Sequence, residues 1–321
     1  MDRKVEEEYK RVSLLVNVAT LYYEHDYNQS MIAKKLQLSR PYISKLIAQA
    51  RAEGIVSITI NDPIQTETSL ERQIRQRFAL RKVVVIPKAL NQDSLQKVGI
   101  ACARYLDSII SDGDIIGVAW GTTMFNCAHH VIRREDLSNV TVVQLCGGVS
   151  TSNHSIYASE IPELFAEALS GTSYLLPLPA VMNSIHVKNS VLTDHNISRS
   201  VDYAKKANIA LFTLGEFGAN SALVNAGYID ESQQKQLEAV GAVGDIFAHF
   251  INDQGELCDK SLDDRTISLP LDEIKKKDYR IAVAIGSQKV RSICGALNGG
   301  HLNVLITDED TATAVLKHFD I

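Results

Sequence analysis

The chain lacks several features that would place it in a specialised class. Its five cysteines in 321 residues (Cys102, Cys127, Cys146, Cys258, Cys294) include no CxxC pair, and no histidine stands at zinc-site spacing from them. That excludes a disulfide scaffold and points to thiols kept reduced in a cytoplasm. No apolar run is long enough to span a bilayer, and the stretch Ile109–Ile116 is broken by Asp112 and Asp114. The opening MDRKVEEEYK alternates charges without an apolar core, so it reads as no secretory leader. An excess of one charge is missing too: 33 basic against 38 acidic residues give a net charge of −5. Any contact with nucleic acid must therefore come from a local basic face.

A length of 321 residues with 45% hydrophobic and 22% charged side chains suits two unequal globular domains. The boundary is expected near the break Asn61-Asp62-Pro63, giving domains 1–60 and 61–321. The first part reads as helix. Val12, Leu15, Val16, Ala19 and Tyr23 recur at helical spacing, a second pattern covers Gln29–Leu36, and a third runs from Arg40 to about Glu53 before Gly54. Ile55–Ile60 (IVSITI) then alternates like a strand, one side of a wing.

Gln29 to Ile47 has the layout of a helix-turn-helix. Ala33 leaves room for a close crossing, Leu38 fills the turn, Ser39 is placed to cap the third helix, and Pro41 fits its first turn. With Ile43, Leu46 and Ile47 buried, Gln29, Ser39, Arg40, Pro41, Tyr42, Ser44 and Lys45 are the candidate DNA-binding residues. Every charged residue from Tyr27 to Arg51 is basic (Lys34, Lys35, Arg40, Lys45, Arg51), the local patch that phosphate contact requires.

The second part has another rhythm. VVVIP, IIGVAW, VTVVQL, IALFTL, RIAVAI and NVLIT are β-branched runs separated by helical patterns, which implies βαβ units and a mostly parallel sheet. An amphipathic helix, Thr68–Phe78, leads into it and is the expected transmitter between domains. Ligands of such sheets sit beyond the strands' carboxyl ends. Three loops there qualify, on what read as successive strands: Gly121-Thr122-Thr123-Met124, Cys146-Gly147-Gly148-Val149-Ser150, and Gly286-Ser287-Gln288-Lys289. Ala242-Val243-Gly244-Asp245 adds a carboxylate, read as standing before an apolar helix Ile246–Phe250. Together they offer amides and hydroxyls for a phosphate, an ammonium, and an acceptor for a sugar hydroxyl. Arg265 reaches either a ligand phosphate or the aspartates beside it. His129, His130 and His154 lack metal-site spacing, and Ser150, Thr151 and Ser152 lack a nucleophile elbow. Lys275–Lys277 reads as a solvated face.

These motifs in order (the Tyr27–Arg51 reader, WGTTM, the Gly-Gly pair, LFAEAL…LPLPA over Leu164–Ala180, AVGDIF and GSQKV) resemble the SorC family of sugar-responsive regulators, which includes the DeoR type of bacilli. The resemblance spans almost the whole chain. It implies a C-terminal domain similar to sugar-phosphate isomerases and CoA transferases, reused for binding, with homodimers or homotetramers on a palindromic double-stranded operator. It also implies that Gly121, Thr122 and Thr123 hold a phosphate while Asp245 and Lys289 hold the sugar. The wording is most similar to the deoxyribonucleoside-operon branch, whose effector is deoxyribose 5-phosphate. That branch has a lysine just before the Gly-Gly pair, where this chain has Cys146, and a thiol forms no imine with an aldehyde. The expected effector is thus deoxyribose 5-phosphate or another pentose or hexose phosphate, with no cofactor and no metal. The function expected is repression of a carbohydrate or nucleoside catabolic operon, with activation left open. The alternative is a sugar-phosphate isomerase or deaminase carrying a DNA-binding domain.

Overall fold

The computed structural model describes residues 3–25, 27–56, 67–88, 94–149, 157–218 and 220–319, with side chains from residue 9 onward. It divides into two compact units, Met1–Thr66 and Glu67–Ile321. The division falls six residues after position 60, within the stretch 57–66 that lies outside the described residues. The expected wing strand lies there as well, except for Ile55 and Val56.

Among the described residues the first unit is built on three helices: α1 (Arg3–Tyr23), α2 (Gln29–Leu36) and α3 (Arg40–Ala52). Asn28 caps α2 by accepting the Met31 N–H at 2.9 Å, and Ser39 caps α3 by accepting that of Tyr42 at 3.3 Å. The turn between them passes through Gln37 in the left-handed region, and Gly54 takes the same region after α3. Leu15, Val18, Ala19, Ile32, Ile43, Leu46, Ile47 and Ala50 form the core. Val12 and Val16, expected on the inner face of α1, are exposed instead. The run Leu14-Leu15-Val16 followed by Val18-Ala19 supports more than one apolar face, and packing selects the one through Leu15 and Val18.

Among the described residues the second unit holds ten strands: β1 (Lys82–Ile86), β2 (Ile115–Val118), β3 (Thr141–Gln144), β4 (Thr172–Tyr174), β5 (Ile209–Phe212), β6 (Gly215–Glu216), β7 (Gly244–Ile246), β8 (His249–Ile251), β9 (Tyr279–Val283) and β10 (Val304–Asp308). Seven of them pair in parallel in the order β1-β10-β9-β5-β2-β3-β4. Central strands such as β5 are buried at every residue, as a sheet covered on both faces requires. From β2 the chain steps outward to β3 and β4; from β5 it steps the other way, to β9 and β10. The order therefore reverses between β2 and β5, the kind of point where a crevice opens at the carboxyl edge. The expected loops do not follow successive strands, because β5 stands between β2 and β9.

The remaining strands, β6, β7 and β8, form a small antiparallel sheet. Residues 246–250 are thus not a helix: β7 and β8 are joined by a two-residue turn at Phe247 (φ 52°) and Ala248 (φ 66°). Both being left-handed is the hairpin geometry that matches strand twist, at a cost of about 1–2 kcal/mol per non-glycine residue. Five consecutive buried apolar or aromatic residues read alike as helix or strand, and this cross-strand pairing decides.

A second correction concerns Lys277, which is 4% exposed rather than solvated. Its Nζ donates to the carbonyls of Ala204 and Lys205, closing the end of the helix His195–Lys206. Burial pulls its pKa down. The helix Ser69–Arg77 belongs to the second unit. Thr68 and Glu71 form a capping box at its start, and Glu71 also accepts the Val85 N–H of β1 at 2.8 Å.

Candidate functional site

A cavity of about 330 Å³ opens at the reversal point. Its β2 side is Ala119 to Thr123. Gly121 (φ 112°) turns the chain so that the helix Thr122–His129 starts at the cavity wall, a backbone a side chain would strain. The amides of such a first turn have no partner within the helix and favour an anion. The Thr122 and Thr123 hydroxyls stand beside them.

The β5 side is Thr213 to Glu216, which the sequence reading did not single out. Lys289, arriving from the loop after β9, donates from Nζ to Thr213 Oγ1 at 2.9 Å. Burial lowers the Lys289 pKa, while the Asp245 and Glu216 carboxylates act in the opposite direction. Asp245, on β7, accepts the Ala248 N–H at 3.0 Å through Oδ2 and so stabilises the left-handed turn. Burial pushes its carboxyl up to about 6, opposed by that hydrogen bond and by Lys289 and His249. Its Oδ1 sits 1.8 Å from where a Cβ would stand on Gly215, the residue paired with it across the hairpin sheet. Only glycine at 215 leaves that carboxylate its place.

Cys146 also lines the cavity. Its thiol faces the carbonyls of Gly147 and Phe247, and burial pushes it up to about 12, so it is a neutral wall group at neutral pH. Gly147 and Gly148 stand behind that wall. A Cβ on Gly147 would meet the Leu178 and Pro179 carbonyls at 2.5–2.6 Å, so Gly147 fits against the LPLPA stretch, while one on Gly148 would meet Ala158 at 2.3 Å. Trp120 ties the two together by donating from Nε1 to Gly147 O at 2.9 Å. Arg265 is outside the cavity lining and donates to Met182 O at 2.8 Å, meeting neither a ligand position nor its neighbouring aspartates. His130 binds the carbonyl of Asn126, and His129 stands edge-on to Phe125. Among the described residues, no three His, Cys, Asp or Glu side chains gather as metal ligands. His154 and Ser150–Ser152 lie outside the described residues.

Residues 62–317 match the model of a family described as "Putative sugar-binding domain". The chain is 38% identical over 310 residues to the deoxyribonucleoside regulator of Bacillus subtilis (strain 168), covering 96% of this chain and 98% of that protein. It is 31% identical over 307 residues to the transcriptional regulator LsrR of Enterobacter sp. (strain 638), covering 94% and 92%. In structure it is similar to the full-length sorbitol operon regulator SorC of Klebsiella pneumoniae, with a TM-score of 0.77 and 29% identity over 95% of this chain and 98% of that one. The chain belongs to the SorC family of transcriptional regulators.

In this SorC-family regulator, α3 presents an exposed face. Arg40, Pro41, Tyr42, Ser44 and Lys45 are exposed along its first turns, Tyr42 at 42%, while Ser39 caps its start and Gln29 opens α2, half-buried. Neither Arg40 nor Lys45 has an ion pair among the described residues, so both are available to phosphates or base edges. Arg51 is committed otherwise: it donates to Tyr23 Oη at 2.6 Å and lies over that ring. Lys35 lies over the Tyr27 ring at 4.8 Å. No described helix is long and apolar enough to cross a membrane.

Proposed function

We propose that this regulator holds a phosphorylated sugar in the cavity between β2 and β5 and changes its operator affinity in response. The observation that carries the reading is the convergence, in one cavity, of a glycine-opened helix start at Gly121–Thr123 with Asp245 and Lys289. The phosphate belongs at the amides and hydroxyls of Gly121, Thr122 and Thr123. Asp245 accepts from sugar hydroxyls, Lys289 donates to the sugar's oxygens, and Cys146 packs as wall. The relative named as a deoxyribonucleoside regulator supports deoxyribose 5-phosphate as the first compound to try, beside other pentose and hexose phosphates.

The chain works in the cytoplasm as a homodimer or homotetramer on a palindromic operator, since a two-fold protein reads two-fold DNA. It represses a carbohydrate or nucleoside catabolic operon. Binding rather than turnover is the role of the cavity: Lys289 donates to Thr213 and Asp245 accepts from the turn at Ala248, and no nucleophile–base pair stands among the described lining residues. A thermal-shift panel of phosphorylated sugars tests this, because a ligand selective for the folded state raises its midpoint by mass action. The expected result is a concentration-dependent rise with one or a few phosphosugars and none with their unphosphorylated forms. A flat panel, or turnover of a phosphosugar that Asp245→Ala abolishes, contradicts it.

A further inference from the structure

We infer that Glu216 is a specificity-determining residue: together with Asp245 it restricts the cavity to sugars that carry one phosphate and no second anionic group. The inference rests on the phosphosugar reading and names the ligand class more narrowly. Among the described residues, the charged side chains lining the cavity are Glu216, Asp245 and Lys289. Two carboxylates oppose one ammonium, so the cavity lining carries a net negative charge when all three are ionised.

The charge is also unevenly placed. The β2 side contributes the helix start and the hydroxyls of Thr122 and Thr123, without a carboxylate. All three charged groups come from the other side, from β6, β7 and the loop after β9. Lys289 offsets this only in part, since its one ammonium, which also donates to Thr213, stands against two carboxylates. Asp245, on β7, is held in place by the Ala248 N–H and by its fit over Gly215 of β6, and Glu216 follows Gly215 on β6, paired with Gly244, and lines the same cavity.

Two carboxylates are acceptors without hydrogens to give. Sugar hydroxyls supply the donors they need, whereas a phosphate or carboxylate on the ligand supplies charge of the wrong sign. A unit charge removed a few ångströms from a second ligand anion changes affinity by roughly tenfold or more in a partly solvated site.

The test is calorimetric titration of the full-length protein with matched pairs: deoxyribose 5-phosphate against deoxyribose 1,5-bisphosphate, ribose 5-phosphate against ribose 1,5-bisphosphate, and glucose 6-phosphate against glucose 1,6-bisphosphate. Wild type is expected to favour the monophosphate in each pair that binds. Glu216→Gln is expected to cut that preference roughly tenfold, while Glu216→Asp, which keeps the charge, retains it. Because the readout is a ratio within one variant, a general loss of folded protein does not mimic it. A preference unchanged in Glu216→Gln, or a wild type that takes both members equally, overturns the role of Glu216 and leaves the phosphosugar reading standing. If no member of any pair binds wild type, that reading falls and this one with it.

Discussion

Burial raises the Asp245 carboxyl from its ordinary 3.8 to about 6, against the pull of Lys289, His249 and the Ala248 amide. A carboxyl whose folded pKa lies above its unfolded one makes the folded state hold the proton longer. The resulting stability is fully present below about pH 3.8 and is lost as pH rises through about 6. At neutral pH the ionised group is thus a local cost, of at most about 3 kcal/mol by that shift. Asp245→Asn keeps an acceptor for Ala248 and removes the charge. Melting profiles from pH 4 to pH 8 should show the unliganded variant at least as stable as wild type at pH 7.5, with a flatter pH dependence, while its phosphosugar response is lost. A variant less stable at pH 7.5 with the wild-type profile contradicts this account. Asp245 was legible in the sequence as a carboxylate after Ala242-Val243-Gly244. Its turn was not, because IFAHF has no period that separates hairpin from helix. Gly215 and Glu216 went unread because their importance lies in what faces them across the hairpin sheet.

Elements with strong local signals were the readable ones. α2 spans Gln29–Leu36 as its spacing predicts, and α3 starts at Arg40 behind the Ser39 cap. Six of the seven parallel strands stand where β-branched runs place them. The seventh, β4, is three residues of mixed polarity at the sheet edge and carries no alternation to detect. Lys277 escaped for the same kind of reason: its neighbours suggested a charge run, while its partners are carbonyls more than seventy residues away. The exposed side of α3 makes its own prediction. Arg40→Ala and Lys45→Ala should each weaken operator binding by about 1–3 kcal/mol for a base contact, or lower the salt slope by about one for a phosphate contact. Neither should change the melting midpoint by more than a degree or two, since both side chains are exposed. Unaltered binding by both variants across a salt titration would show that another surface reads the operator.

At the scale of the whole molecule, the α/β class followed from rhythm, and Gly121, Thr122, Thr123, Cys146, Asp245 and Lys289 were legible as residues of one site, but the strand order that shapes the cavity was not. The cavity exists because β5 inserts between β2 and β9, so that loops far apart in sequence share one edge. Strand order is set by which crossovers pack, not by any motif. Coupling between the units requires a ligand that binds two states with different affinity, and the coupling free energy then appears equally in DNA binding. Glu71 anchors the helix Ser69–Arg77 to β1 of the parallel sheet by accepting the Val85 N–H. The most direct test of the account is the operator affinity of the full-length protein at fixed salt, with and without a saturating phosphosugar, in wild type and in Thr123→Val. Wild type is expected to shift by roughly 5–150-fold, the usual range of such couplings. The variant, missing one hydroxyl at the phosphate position, should hold the same operator without the shift. A wild type indifferent to every phosphosugar, or a variant that responds as wild type does, would contradict the account.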